Sequence, residues 1–216
     1  MELKKRLDAQ QVLLVAVSKT QPIERISHLY AEGIRDFGEN KAQELCSKYE
    51  ALPKDIRWHF IGHLQKNKVK YIAPFVHLIH SVDSWDLLQE ISKQALKHHR
   101  TIDVLLQFHI AEEETKFGLE EKEAHELLRQ PPLPGVRICG VMGMASFSED
   151  AAQVKSEFEQ LNTLFYQLKE AYFPSAPWFN IRSMGMSGDW KLAVECGSNL
   201  VRIGSLLFGE RTNTTQ

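Results

Sequence analysis

The chain has 216 residues, a formal net charge of −2 and 43% hydrophobic residues, which fits one globular domain with a sizeable core. Because this charge produces no field that attracts nucleic acid or an acidic membrane, the expected partner is a small molecule. Three cysteines without metal-type spacing predict reduced thiols and a cytoplasmic protein. The apolar run near the N-terminus is too short for a signal peptide or a membrane span.

Strand-like and helix-like segments alternate along the sequence. Val12 to Val17 is a continuous apolar run that predicts a buried parallel strand. Pro22 begins a predicted helix that ends at Gly33, in keeping with the preferences of helix ends. The other predicted strands cover residues 34–37, 57–61, 76–80, 102–108, 136–141, 178–182 and 200–203. The other predicted helices cover residues 40–50, 65–71, 84–98, 120–129 and 151–171, with a short one ending near Gly197.

About eight strand–helix units in a chain of this length predict a compact (β/α)8 barrel, the TIM barrel. An open doubly wound sheet is the alternative, but no G-x-G-x-x-G motif follows the first strand. The proline-rich segment 130–135 lies between a helix and a strand in unbroken alternation, so it predicts a turn. We therefore expect a single domain over residues 1–216.

Two loops rich in glycine and serine follow the last two predicted strands. Residues 183–188 read Ser-Met-Gly-Met-Ser-Gly, and the other loop begins at Gly204-Ser205. Barrel loops at these positions often bind phosphate, because glycine admits the anion close to backbone N–H groups and serine adds hydroxyls. The first loop also fits a helix entry capped by Ser187 or Asp189, and a helix N-terminus itself attracts anions.

Two charged residues occupy positions that would face the barrel interior. Lys19 continues the alternation of Val15 and Val17, so it would project into the mouth of the barrel. Burial there would favour the free amine, which attacks aldehydes, whereas a solvated lysine at a strand end is the alternative. Arg202 interrupts an apolar strand, and a buried charge needs a structural ion pair or a bound ligand. A lysine facing a phosphate site suggests a phosphorylated aldehyde held as a Schiff base.

The histidines show no recognised metal motif. His59 and His63 lie four residues apart and His77 and His80 follow, but no H-E-x-x-H or comparable pattern occurs. We therefore expect no metal site, and His63 is a candidate for the mouth of the barrel after the third strand.

Five motifs together resemble the pyridoxal phosphate homeostasis protein family. They are VAVSKT at 15–20, FGEN at 37–40, WHFIGHLQKNK at 58–68, SMGMS at 183–187 and VRIGS at 201–205. Each motif is weak alone, but five in this order over nearly the whole chain are specific. The resemblance implies a barrel similar to the N-terminal domain of alanine racemase, a fold type III protein that carries pyridoxal 5′-phosphate (PLP).

The resemblance also implies roles for single residues. Lys19 would form the internal aldimine with PLP, Asn40 would lie near the ring, and Arg202 would face the pyridine nitrogen. His63 corresponds to a position at which some relatives differ. An arginine beside the ring nitrogen leaves it unprotonated, which disfavours most carbanion chemistry. The positions around the phosphate are matched by Ser183, Ser187, Gly204 and Ser205.

The function implied by the resemblance is intracellular PLP, or vitamin B6, homeostasis by a non-catalytic monomer that binds PLP and delivers it to PLP-dependent apo-enzymes. A PLP-dependent amino-acid racemase is the alternative. Such racemases need a second acid/base group, which alanine racemase takes from a further domain and a dimer partner. Since the sequence ends at Gln216, we expect no such domain and no robust turnover. An aldolase barrel is a third possibility, but its Schiff-base lysine would lie on a later strand.

Overall fold

Eight parallel strands close into a barrel in chain order, with β8 pairing back onto β1. This structure, a computed structural model, describes residues 1–111 and 117–209. The strands are β1 (Leu13–Val17), β2 (Asp36–Glu39), β3 (Arg57–Phe60), β4 (Leu78–Val82), β5 (Ile102–Phe108), β6 (Val136–Gly143), β7 (Ile181–Ser183) and β8 (Leu200–Ile203). The helices are α1 (Glu2–Asp8), α2 (Ile23–Ala31), α3 (Ala42–Ala51), α4 (Lys66–Ile72), α5 (Trp85–Lys97), α6 (Glu121–Leu128), α7 (Ala151–Tyr172), α8 (Trp190–Glu195) and α9 (Ser205–Phe208). The predicted TIM barrel is confirmed.

Helix α5 illustrates why the helical segments form and where they pack. The Ser84 hydroxyl accepts a hydrogen bond from the Leu87 backbone N–H and so caps the first turn. Leu88, Ile91 and Ala95 recur at helical spacing and are buried against the barrel. Full burial of a leucine or isoleucine side chain contributes about 1.5–3 kcal/mol, so the apolar face holds the helix in place.

The strands place alternate side chains in the interior of the barrel and against the helices. Phe37 and Trp58 belong to the large core between barrel and helices, and both are fully buried. Val15, Leu78 and Leu200 belong to a separate small apolar cluster, which lies inside the barrel. Because side chains alternate along a strand, the interior of the upper barrel is left to the polar residues that build the site.

Three predicted strands begin two or three residues earlier in the sequence than the observed ones. Ile34, Val76 and Phe179 lie before β2, β4 and β7, and all three are buried in the core between barrel and helices. An apolar run therefore marks burial and not the onset of strand pairing. Helices α1 and α9 were not predicted; both are short, and burial of Leu7 and Phe208 anchors them.

Cys46, Cys139 and Cys196 form no disulfide bonds in this structure. Among the described residues, no helix has the length and apolar character needed to span a membrane.

Candidate functional site

A cavity of about 680 Å³ opens at the carboxyl ends of the strands. This volume falls within the range of small-molecule sites, roughly 300–1,000 Å³. Most of the residues predicted from sequence line it: Lys19, Asn40, His63, Ser187, Arg202, Gly204 and Ser205. The barrel thus brings the lysine after β1 together with the glycine and serine residues after β7 and β8.

The loop after β1 carries Lys19 in a constrained conformation. Lys19 is half-buried, and Thr20 after it has a φ of 63°, a left-handed value that is unusual for a β-branched residue. The Thr20 N–H donates to Glu44 Oε1 at 2.6 Å, and the Gln21 N–H donates to the Ser18 carbonyl at 3.0 Å. These bonds hold a backbone that would otherwise relax, as is common at functional sites.

A buried ion pair supports the same loop from the helix side. Lys48 Nζ donates to Glu39 Oε1 at 2.8 Å, to Glu44 Oε1 at 2.7 Å and to the Ser18 carbonyl at 2.7 Å. Ser18 Oγ also donates to Glu39 Oε1, at 2.5 Å. Burial raises the pKa of Glu39, and the hydrogen bonds from Lys48 and Ser18 act against that rise. Sequence reasoning missed this support, although a glutamate ending a buried strand signals a buried partner.

Arg202 lies at the floor of the cavity and is 3% exposed. Its Nη1 donates to the Ser183 carbonyl at 2.7 Å and to Ser183 Oγ at 2.6 Å, and its Nη2 donates to the Gly143 carbonyl at 3.0 Å. No carboxylate of the described residues forms an ion pair with it, so neutral acceptors hold the guanidinium. Burial lowers the pKa of Arg202 to about 10, with Asp189 acting in the opposite direction. The guanidinium is therefore charged at neutral pH.

Ser183 stands apart from the other predicted site residues. It is fully buried, and it is not among the described residues that line the cavity. Its hydroxyl lies 2.6 Å from Arg202 Nη1 and 3.0 Å from His80 Nδ1. Ser183 therefore contacts the floor residue Arg202 from below.

The two glycine- and serine-containing loops are joined to each other. The Gly204 N–H donates to Ser187 Oγ at 3.2 Å, and the Arg202 N–H donates to the Gly185 carbonyl at 3.0 Å. Gly185 has a φ of +92°, and an added Cβ would lie 2.6 Å from Ala193 Cβ, so this turn requires glycine. Asp189 precedes α8 as predicted, but its carboxylate accepts from the Met186 N–H at 2.6 Å instead of capping the helix.

The loop after β3 forms the opposite wall. Gly62 passes so close to Asn40 that an added Cβ would lie 2.5 Å from the Asn40 carbonyl oxygen. The His63 ring stacks on Phe117 at 4.0 Å, and its Nδ1 lies 3.4 Å from Asp83 Oδ2. This wall thus offers an amide, an imidazole and an aromatic face to a ligand.

A second group of polar side chains lies at the amino ends of the strands, away from the cavity. Within the described ranges, Asp36, His59 and His77 form the only trio whose potential metal-ligand atoms all lie within 4.8 Å of one another. However, Arg57 Nε donates to Asp36 Oδ1 at 2.7 Å and its Nη2 donates to Oδ2. Because arginine already neutralises this carboxylate, we assign no metal to the trio.

Comparison with known proteins places this geometry in a family. The alanine racemase N-terminal domain family matches residues 1–212. A pyridoxal phosphate homeostasis protein of Aquifex aeolicus is 44% identical over 200 residues, which cover 92% of this chain and 86% of that protein. The chain belongs to the pyridoxal phosphate homeostasis protein family. The resemblance carried by the five sequence motifs is therefore confirmed.

Solved structures agree with this family and with the fold. PipY of Synechococcus elongatus PCC7942, solved with PLP bound, has a TM-score of 0.83 and 34% identity, covering 96% of this chain and 99% of that chain. Alanine racemase of Bartonella henselae has a TM-score of 0.71 but only 19% identity, covering 97% of this chain and 59% of that chain. The likeness to the racemase shows the barrel fold alone.

Proposed function

We propose that this protein binds PLP in the cavity after the strands and serves PLP homeostasis without robust amino-acid turnover. The observation that carries the proposal is the placement of Lys19, Arg202 and the joined loops around one cavity. PLP binding in the related PipY supports the same cofactor.

The donor set of the cavity fits the three functional groups of PLP. When bound, PLP supplies an aldehyde that a lysine amine converts to a Schiff base, and Lys19 is the lysine that lines the described cavity. Hydroxyls of Ser187 and Ser205, with the backbone around Gly204, would bind the phosphate. Arg202 can only donate hydrogen bonds, so it would donate one to the pyridine nitrogen and keep its own proton, which leaves that nitrogen unprotonated.

We further propose that the bound cofactor is held and not used for catalysis. Racemisation requires a second proton-transfer group across the ring. On the described walls of the cavity, His63 is the imidazole available, and it already contacts Asp83 and stacks on Phe117. The names of the curated relatives describe homeostasis and agree with this proposal.

Amino-acid exchange in deuterated solvent tests the non-catalytic part of the proposal. PLP-loaded protein and a panel of L-amino acids should give negligible deuterium incorporation at Cα and negligible D-isomer. Robust exchange would restore the racemase interpretation. Loss of that exchange in His63→Ala would then identify His63 as the second base.

A spectroscopic titration tests cofactor binding. Addition of PLP to the protein should produce a visible absorbance band that Lys19→Ala lacks, while inorganic phosphate should weaken binding to both proteins. Lys41→Ala is the matched control, since Lys41 follows Asn40 but is not among the residues that line the described cavity. An unchanged band in Lys19→Ala would remove the role given to this lysine.

We also propose that the protein is a cytoplasmic monomer that passes PLP to apo-enzymes. Unpaired cysteines suit a reducing compartment, and the exposed large apolar residues lie on different elements, including Tyr71 on α4 and Tyr166 on α7. Light scattering after gel filtration should give the mass of one chain. Activation of a PLP-dependent apo-enzyme by the loaded protein, with and without a dialysis membrane between them, shows whether transfer occurs and whether it needs contact.

A further inference from the structure

A continuous chain of hydrogen bonds crosses the barrel interior beneath the cavity. Asp36 Oδ1 lies 3.1 Å from His59 Nε2, and His59 Nδ1 lies 2.9 Å from His80 Nε2. His80 Nδ1 lies 3.0 Å from Ser183 Oγ, which lies 2.6 Å from Arg202 Nη1. Of these residues only Arg202 lines the described cavity, and all of them are at most 4% exposed.

The two ends of this chain determine the direction of every hydrogen bond in it when each imidazole carries one proton. At the upper end, the Arg202 guanidinium can only donate, so Ser183 Oγ accepts from it. At the lower end, Asp36 accepts. Burial raises the pKa of Asp36, but hydrogen bonds from His59 and Arg57 outweigh burial and lower that pKa to about 2. An ionised carboxylate accepts and never donates.

With one proton on each imidazole, the hydroxyl and the two rings must be aligned in one direction. Ser183 donates its single proton to His80 Nδ1, which leaves the His80 proton on Nε2. His80 then donates to His59 Nδ1, and His59 carries its proton on Nε2 and donates to Asp36. Burial is the largest cause that lowers the pKa of His80, to well below its usual range, which agrees with a neutral ring.

We propose that Asp36, His59 and His80 are positioning residues that act on Arg202 through Ser183. The aligned chain keeps the lone pairs of the Ser183 hydroxyl directed at Nη1, while the carbonyls of Ser183 and Gly143 hold the rest of the guanidinium. Arg202 is thereby fixed in one orientation with its remaining donors directed at a ligand. The statement that this ligand is PLP rests on the proposed function, whereas the alignment of the chain does not.

A structural role alone would require only that the buried polar groups be paired. The positioning role predicts more: one tautomer for each imidazole, and a response at Arg202 when a link below it is removed. These two consequences can be measured without PLP.

Nitrogen-15 NMR of histidine-labelled, ligand-free protein at neutral pH tests the alignment directly. Both His59 and His80 should show a protonated Nε2 and an unprotonated Nδ1. A proton on Nδ1 of either ring, or on both nitrogens of one ring, would overturn the proposed direction.

A pair of serine variants tests the action on Arg202. Ser183→Ala should shift the His80 Nδ1 signal and the Arg202 side-chain N–H signals, and should weaken PLP binding about tenfold. Ser81→Ala is the matched control, because Ser81 is fully buried beside His80 and its hydroxyl has no hydrogen-bond partner among the described residues. Arg202 signals that do not move in Ser183→Ala, or that move equally in Ser81→Ala, would overturn the positioning role. Absence of PLP binding by the wild-type protein would instead refute the proposed function, and the NMR signals would still decide the alignment.

Discussion

The Lys48 ammonium lies 2.8 Å from the Glu39 carboxylate and 2.7 Å from the carbonyl oxygen of Ser18. Ser18 directly precedes Lys19 in the sequence. Neither charged side chain is among those that line the described cavity, yet both are at most 5% exposed. A buried pair of this kind stabilises little relative to an apolar pair, but loss of one partner leaves an uncompensated charge. The loop that presents the candidate Schiff-base lysine therefore depends on a helix α3 residue.

Lys48→Met should destabilise the protein by about 3–5 kcal/mol, because Glu39 would remain buried without its partner. Urea unfolding followed by circular dichroism measures this loss. Lys93→Met is the matched control: Lys93 is exposed and lies 3.6 Å from Glu90, so its loss should cost under about 1 kcal/mol. Equal losses in the two variants would contradict the role of the buried pair.

Gly62→Ala should distort the wall of the cavity. The added Cβ would lie 2.5 Å from the Asn40 carbonyl oxygen, and a backbone atom cannot move aside cheaply. We expect a loss of about 1–3 kcal/mol in the free energy of unfolding, together with weaker PLP binding. Gly188→Ala is the matched control. Gly188 lines the same cavity, but nothing lies within 4 Å of an added Cβ, so this variant should behave like wild type in both measurements. Normal PLP affinity in Gly62→Ala would show that this wall does not contact the cofactor.

Acid should destabilise the protein through Asp36. Its pKa is about 2 in the folded protein against an ordinary value of 3.8, so the unfolded chain takes up a proton first. This contribution to stability is present above pH 3.8 and is lost as the pH falls to about 2, by roughly 2 kcal/mol in total. Denaturant unfolding between pH 5 and pH 2, the range that brackets both pKa values, measures the slope. Asp36→Asn should flatten it, and an unchanged slope would contradict the assignment.

The topology and most of the cavity followed from sequence because both depend on local patterns. Alternating apolar runs and helix ends predict a (β/α)8 barrel, and a barrel gathers the carboxyl ends of its strands at one mouth. The sequence therefore predicts that Lys19 and Arg202 lie in one site, since Lys19 follows an apolar strand and Arg202 interrupts one.

The polar interior could not be derived in the same way. His59 and His80 look like isolated histidines in sequence, and their contact depends on the register of β3 against β4 and on their shared inward face. Ser183 belongs to a loop motif that suggests phosphate binding, but it ends β7 with an inward side chain below the loop. Which side of a strand end a serine faces depends on where pairing begins, and apolar runs do not specify that position.

Chemical trapping of the bound aldehyde is the most direct test of the proposed PLP site. PLP-loaded protein treated with borohydride, digested with trypsin and mapped by mass spectrometry should carry the reduced pyridoxyl group on Lys19, in amounts that approach one per chain. Modification of a different lysine, or none above the level found in unfolded protein, would contradict the claim that Lys19 and the serine- and glycine-containing loops form one PLP site.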